Sequence, residues 1–262
     1  MLNWYLGTMG FSYKDWKGVF YPEGTAARDY LAYYSQFFNA VEMDSTFYGP
    51  PRETTVTRWA QMTPPNFKIC PKMPREITHD KGLVNVSESA SGFVDIMRSL
   101  GDKLGPILIQ LPPDFAFDQR YVLTAFLAHL PTDVRYAAEF RDSSWHTAET
   151  GEILQRYNIC WASTEYHYLP QRVYVTTDFI YIRWIGRHGR YDINDHERVD
   201  KTPRLREWYD DIQSRSAEFN TVYGFFNNDY AGYSPATCTR FKELAGLTTK
   251  SLQPPTQGKL FD

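Results

Sequence analysis

The sequence predicts a closed parallel (β/α)8 barrel, and three observations carry that expectation. Short apolar segments alternate with segments of helical period from one end of the 262-residue chain almost to the other, giving eight strand patterns and seven helical ones with no linker between them. The run Pro106-Ile107-Leu108-Ile109-Gln110-Leu111 is apolar on both faces, as a strand buried inside a parallel sheet is. The length also suits a barrel of about 250 residues. An open doubly wound sheet is the structural alternative, but no glycine fingerprint follows the first strand, which counts against a dinucleotide-binding fold. The barrel is expected to occupy residues 1–246 as a single domain, with 247–262 as an extended tail.

Taken in order, residues 4–7 form the first expected strand, and a glycine- and aromatic-rich loop follows. A helix then carries Tyr30, Leu31, Tyr34, Phe37 and Phe38 on one stripe. Residues 41–44 are strand two, and a helix with Val56, Trp59 and Met62 stops before Pro64-Pro65. Residues 67–70 are strand three, and after a long loop a helix buries Phe93, Ile96, Met97 and Leu100. Strand four, residues 106–111, leads to a helix with Asp118 as its expected cap and Leu123, Phe126 and Leu127 inward. Residues 136–140 and 159–163 are strands five and six, flanking a helix through Ile153 and Leu154. Residues 164–178 have no helical period, so the barrel is expected to be irregular around strand six. Residues 179–184 and 221–226 complete the strands. Thr202-Pro203 and Ser234-Pro235 each place a proline at a helix start, where its missing N–H costs nothing.

Composition narrows the function classes. A net charge of −3 and a pI near 6.1 give no global basic footprint for nucleic acid. Aromatic residues make up 16%, a share that serves core packing first and ring-stacking ligands second. Cys70, Cys160 and Cys238 are odd in number and widely spaced. They fit neither a zinc pattern nor a disulfide framework, so free thiols in a reducing, cytoplasmic setting are expected. The opening residues lack the charged and apolar regions of a signal peptide and no apolar run is long enough to span a membrane, so neither is expected.

Barrel pockets lie at the C-terminal ends of the strands. Glu42 and Asp44, Lys72, Gln110, Glu139 and Arg141, Arg183, and Asn227-Asn228 fall at these ends. His79 and the aromatics Tyr13, Trp16, Phe47, Tyr48 and Trp145 lie in the loops that follow. Two readings of the charges stand side by side. Glu42 and Glu139, three strands apart in an eight-stranded ring, can flank a ligand as an acid/base or nucleophile pair, the arrangement that glycosidases use at roughly 5–10 Å separation. Alternatively, Glu42, Asp44, Lys72, Glu139, Arg141 and Arg183 neutralise one another as an internal ion-pair network. The cations after strands three, five and seven suit a small polar or phosphate-bearing ligand, with residues 186–201 as either a lid or a solvated surface loop. No cofactor is required by any motif, since HExxH, CxxC and EF-hand spacings are absent. A divalent metal held by the strand-end acids and a loop histidine remains chemically possible.

The stretches Gly7-Thr8-Met9-Gly10-Phe11-Ser12-Tyr13-Lys14-Asp15-Trp16, Glu42-Met43-Asp44-Ser45-Thr46-Phe47-Tyr48, Lys72-Met73-Pro74-Arg75, Gln110-Leu111-Pro112-Pro113, Glu139-Phe140-Arg141 with Ser144-Trp145, and Phe226-Asn227-Asn228 occur in this order. Together they resemble the YecE-like "domain of unknown function 72" family across nearly the whole chain. The resemblance implies a TIM-like barrel and brings no activity with it. Met9 and Phe11 stand where that pattern usually has a small polar residue and Trp, and Asp44 where it usually has Asn. This shifts the expected catalytic pair to Glu42 with Glu139.

The leading expectation is therefore a hydrolase- or lyase-type enzyme acting on a sugar, sugar phosphate or nucleotide. The tail supplies a different one. Gln257, Leu260 and Phe261 form a Q-x-x-L-F sequence resembling the peptide by which bacterial proteins dock on the replication sliding clamp, an apolar anchor with a glutamine to set register. Such docking is expected of a protein of DNA metabolism, with phosphodiester hydrolysis as its reaction. A non-catalytic ligand-binding barrel is the third class.

Overall fold

The computed structural model describes residues 2–252. The tail residues Gln257, Leu260 and Phe261 lie outside the described residues. Among the described residues there are nine strands: β1 (Asn3–Thr8), β2 (Ala40–Met43), β3 (Lys68–Pro71), β4 (Ile107–Gln110), β5 (Tyr136–Glu139), β6 (Cys160–Trp161), β7 (Ser163–Glu165), β8 (Phe179–Trp184) and β9 (Thr221–Phe226). The helices are α1 (Tyr30–Tyr34), α2 (Glu53–Met62), α3 (Ser87–Met97), α4 (Arg120–Leu127), α5 (Ala148–Arg156), α6 (Thr202–Ser214), α7 (Asn228–Ala231) and α8 (Ser234–Leu244). Every ladder is parallel, and the fold is α/β. The ladders fall into three sheets, β1-β9-β8-β7, β2-β3 and β4-β5-β6, where the sequence predicted one closed ring of eight.

The breaks have physical causes. Between β3 and β4, Pro71 and Pro106 each lack a backbone N–H. Contact there reduces to single bridges, Ile69 with Leu104 and Lys72 with Leu108. Between β1 and β2, side chains replace a ladder. Thr8 N–H donates to the Tyr34 hydroxyl at 2.7 Å, and that hydroxyl donates to Ala40 O at 3.0 Å. Asn39 brackets the same seam, accepting from Leu6 N–H at 2.9 Å and donating to Trp4 O at 2.7 Å. A Cβ on Gly7 would sit 1.9 Å from Ala40 O, so only glycine lets the strands approach this closely. Replacing Tyr34, which is fully buried, with Phe strands a donor and an acceptor. It is expected to cost about 1–3 kcal/mol, read as a lower denaturant midpoint at unchanged slope.

The expected sixth strand is two short ones interrupted at Ala162. β6 pairs with β5 and β7 with β8, and the segment leading from β7 to β8 carries no helix, which is the irregularity the sequence announced. Asp118 does not cap α4. It lies in a short 3-10 turn before the helix, and no side-chain cap bond forms there. Pro203 and Pro235 do sit in the first turns of α6 and α8.

Alternation along the strands divides the core in two. One face packs against the helices with Leu6, Val41, Ile69, Ile107, Ile109, Ile180, Ile182 and Val222. The other face joins small residues, Ala40, Cys70, Ala137 and Cys160, to large ones, Tyr181, Tyr223 and Phe225. All three cysteines are buried and unpaired. Among the described residues no helix is long and apolar enough to cross a membrane.

Candidate binding pocket and its buried charge network

Glu42 near the end of β2, Glu139 at the end of β5, and Tyr181 and Arg183 on β8 meet on the inner face of the strands. Arg183 donates through Nη2 to Glu42 Oε1 at 2.7 Å and through Nε to both Glu42 oxygens at 3.2 and 3.0 Å. Its Nη1 donates to Glu139 Oε2 at 2.6 Å. The Tyr181 hydroxyl completes the shell of Glu42, donating to Oε2 at 2.7 Å, and Arg141 donates to the remaining oxygen of Glu139. Glu42 and Glu139 have no exposed surface, and Arg183 is 3% exposed.

A single guanidinium thus holds two buried carboxylates, which cannot lie so deep without it. The two acids are unequal. Burial would raise Glu139, but Arg141 and Arg183 together hold it down to about 2. For Glu42, burial outweighs the pull of Arg183 and Tyr181, and nearby Asp44 adds to the upward push. Burial disfavours the charge on Arg183 too, but Glu139 and Glu42 raise it well above its ordinary value, so it stays charged.

A cavity of about 530 Å³ opens beside this network, lined by Gly10, Phe11, Ser12 and Tyr13 after β1, Met43, Asp44, Ser45 and Tyr48 after β2, His188 and Asn194 after β8, and Asn227, Asn228 and Asp229 after β9. It lies at the C-terminal ends of the strands, where parallel α/β folds place their ligands. Asp44 lines the cavity and accepts no hydrogen bond from the described residues. Lys72, directly after β3, is its cross-strand neighbour beyond the last register pair, Met43 with Pro71. Its ammonium lies 4.0 Å from the centre of the Phe47 ring and has no carboxylate within salt-bridge distance. Burial, then the charge of Arg183, lowers its pKa. Two further polar atoms here are buried without a partner, Asn228 Nδ2 and Asn194 Oδ1.

Of the residues expected to bind ligand, Tyr13, Asp44, Tyr48, Asn227 and Asn228 line the cavity. Lys72 and His79 flank Phe47, with His79 5.0 Å from that ring, and burial and Lys72 lower the His79 pKa. Arg141 lies over the Tyr166 ring at 4.6 Å. Three expectations need correction. Trp16 and Trp145 have no exposed surface and present no ring face to a ligand. Trp16 packs among Tyr13, Phe20 and Tyr233, while Trp145 stacks on Phe140 at 4.3 Å and donates to Phe115 O. Gln110 is 8% exposed and spends its amide on Leu111 O. Among the described residues no three His, Cys, Asp or Glu converge as a metal site, because Arg183 stands between the acids that would have formed one.

Tyr181, Asn194 and Asp229 were missed in the sequence. Tyr181 shares a strand face with Arg183, a period-2 relation that could have paired them. Asp229 directly follows Asn227 and Asn228. Asn194 lay in a loop equally readable as solvated surface. That loop instead docks on the first one, its backbone N–H donating to Asp15 Oδ2 at 3.0 Å.

Fold and site together define a class, an α/β protein of parallel strands with a polar, aromatic-walled pocket at the strand C-termini above a buried ion-pair network. The chain belongs to the DUF72 family, "Protein of unknown function DUF72", whose model matches residues 5–259. It is similar to the UPF0759 protein YecE of Escherichia coli strain K12, 32% identical over 111 residues, which cover 42% of this chain and 41% of that one. It is also similar to the UPF0759 protein YunF of Bacillus subtilis, 31% identical over 150 residues, 54% of this chain and 51% of that one. The matched stretches thus span about half or less of these relatives' lengths. Among solved structures, a DUF72 family protein from Thermotoga maritima superposes with a TM-score of 0.79 at 29% identity, covering 93% of this chain and 99% of the other. One from Enterococcus faecalis does so at 0.77 and 21%, covering 96% and 98%, and shares the fold.

Proposed function

We propose that this protein is an enzyme that binds a small, hydroxyl-rich, sugar-type ligand in the strand-end pocket, with Asp44 and Lys72 as its acid/base groups. The observation that carries this reading is the division of the pocket's charges. Glu42, Glu139, Arg183 and Arg141 are bound to one another, whereas the side chains of Asp44 and Lys72, directly after the neighbouring strands β2 and β3, have no hydrogen-bonded partner among the described residues. A carboxylate with both oxygens occupied is a poor proton acceptor, so the catalytic role first expected of Glu42 and Glu139 passes to the unbonded pair. The lining supports a hydroxyl-rich ligand. Asn227, Asp44 and Asp229 bring polar groups to the wall, and Phe11, Tyr13 and Tyr48 supply ring surface. A phosphate-bearing ligand fits less well because the arginines expected to receive it are committed to glutamates. We take the three sheets as arcs of one closed barrel, supported by the bridges Met9 with Glu42 and Lys72 with Leu108. The buried free thiols support a reducing, cytoplasmic setting.

The test is a thermal-shift panel of neutral mono- and disaccharides against their phosphates. A saturable rise in Tm with a neutral sugar, absent in Asp44→Asn, is expected. A rise confined to the phosphorylated sugars, or none at all, rejects the ligand class. Clamp docking stands as a separate proposal on the tail sequence. A labelled peptide of residues 253–262 should bind a sliding clamp saturably, and no binding at high micromolar clamp rejects it.

A further inference from the structure

Among the described residues, burial lowers the pKa of three lysines, Lys72, Lys103 and Lys242. Two of them are bound by the fold. Lys103 donates to Ala60 O and Thr63 O, and Lys242 donates to Phe37 O at 2.8 Å. Lys72 is different. Among the described residues its ammonium meets no hydrogen-bond acceptor and no carboxylate within salt-bridge distance, and the Phe47 ring, 4.0 Å away, covers one side. The residue is half-buried, yet its nitrogen is not among the unpartnered polar atoms sealed from solvent. It is both unbound and reachable.

The backbone beneath that nitrogen is held from both sides. The β2–β3 ladder stops at Met43 with Pro71. Beyond it the Thr46 hydroxyl takes over, accepting from Lys72 N–H at 2.9 Å and lying 2.7 Å from Lys72 O. On the other side Lys72 bridges to Leu108 of β4. Its cross-strand neighbour Asp44 lines the strand-end cavity. Burial is the first cause of its lowered pKa and the charge of Arg183 the second, against the opposing pull of Asp44, Glu42 and Glu139. A desolvated lysine close to a second cation is the setting in which an amine sheds its proton and attacks as a nucleophile.

We propose that Lys72 is a covalent nucleophile whose amine forms a Schiff base with the carbonyl carbon of a hydroxylated aldehyde or ketone. The nitrogen lone pair attacks the carbonyl carbon to give a carbinolamine. The carbinolamine oxygen then leaves as water with the amine's two protons, and C=N replaces C=O. The choice of a hydroxylated carbonyl, which an open-chain sugar is, rests on the sugar reading of the pocket. The nucleophile itself does not.

Glyceraldehyde and dihydroxyacetone test it, each incubated with the full chain and sodium cyanoborohydride at pH 7 and the adducts mapped by peptide mass spectrometry. Hydride from the reductant turns C=N into a stable secondary amine. With at least one probe the reduced adduct is expected on Lys72 at least about tenfold faster than on the exposed Lys14 and Lys17. Lys72→Met should lose that fast phase and keep the slow one. Labelling of Lys72 no faster than of Lys14 and Lys17 overturns the inference, and so does a fast phase that survives in Lys72→Met. If the variant does not fold, the rates mapped on the wild-type chain decide. Saturable sugar binding without fast Lys72 labelling would keep the sugar reading and remove the nucleophile. Fast Lys72 labelling without sugar binding would do the reverse.

Discussion

Arg183→Met is expected to destabilise the protein by about 3–5 kcal/mol at pH 7, because it leaves Glu42 buried with only the Tyr181 hydroxyl to answer its charge and Glu139 with Arg141 alone. The sign of the pH dependence follows from what each acid loses. In the native chain, Glu139 has a folded pKa near 2, below its unfolded value. Its contribution is therefore fully present above the ordinary glutamate range and is lost as pH falls toward 2. In Arg183→Met, Glu42 loses its cation and burial pushes its folded value further above the unfolded one, while Glu139 keeps Arg141 and loses only part of its depression. The variant's deficit is then greatest at neutral pH and shrinks as pH falls through the raised Glu42 value and that carboxyl protonates. Denaturant unfolding of wild type and variant between pH 4 and 8 checks this. A deficit that is constant across the range would mean that the carboxylates are not what Arg183 stabilises. Adding Glu42→Gln and Glu139→Gln to the variant should recover part of the loss at neutral pH.

Asp44→Asn is expected to do the opposite. Asp44 is only half-buried, lines the cavity and accepts no hydrogen bond, so little in the fold depends on its charge. Its unfolding free energy should stay within about 0.5 kcal/mol of wild type, while sugar-induced stabilisation and turnover fall at least tenfold. Lys72→Met should resemble it, with one added signature. Because burial and Arg183 lower the Lys72 pKa, the pH profile of turnover should carry a basic limb below the ordinary lysine range, and that limb should vanish in the variant. Turnover that persists in both variants would remove Asp44 and Lys72 from the chemistry. The protein would then be a ligand-binding barrel, or its chemistry would lie elsewhere.

Period and punctuation made most of the elements legible. The helical stripe through Leu123, Phe126 and Leu127, the continuous run of β4 and the helix-start prolines each report a local preference that tertiary packing reinforces. The missing helix before β8 was legible for the same reason, as a lapse in period. The breaks between sheets were not. They depend on where Pro71 meets Pro106 across strands and on a tyrosine hydroxyl bridging Thr8 and Ala40, which are contacts between residues far apart in sequence.

The site was legible in outline, since strand-end polar residues and loop aromatics do gather at one pole. Which acids are free was not. Glu42, Asp44 and Glu139 look alike as letters, and only the position of Arg183 on β8 binds two of them and leaves the third. Trp16 and Trp145 show the converse problem. Aromatic residues in a loop read equally well as ligand platform or core, and here both pack inward.

Glu42 belongs to the architecture and Asp44 to the function. The most direct measurement is the unfolding free energy of Glu42→Gln beside that of Asp44→Asn at pH 7. A loss of about 3 kcal/mol is expected for Glu42→Gln, whose change breaks a buried pair with Arg183, and near-wild-type stability for Asp44→Asn. A Glu42→Gln variant as stable as wild type, with ligand binding or turnover abolished, would contradict it.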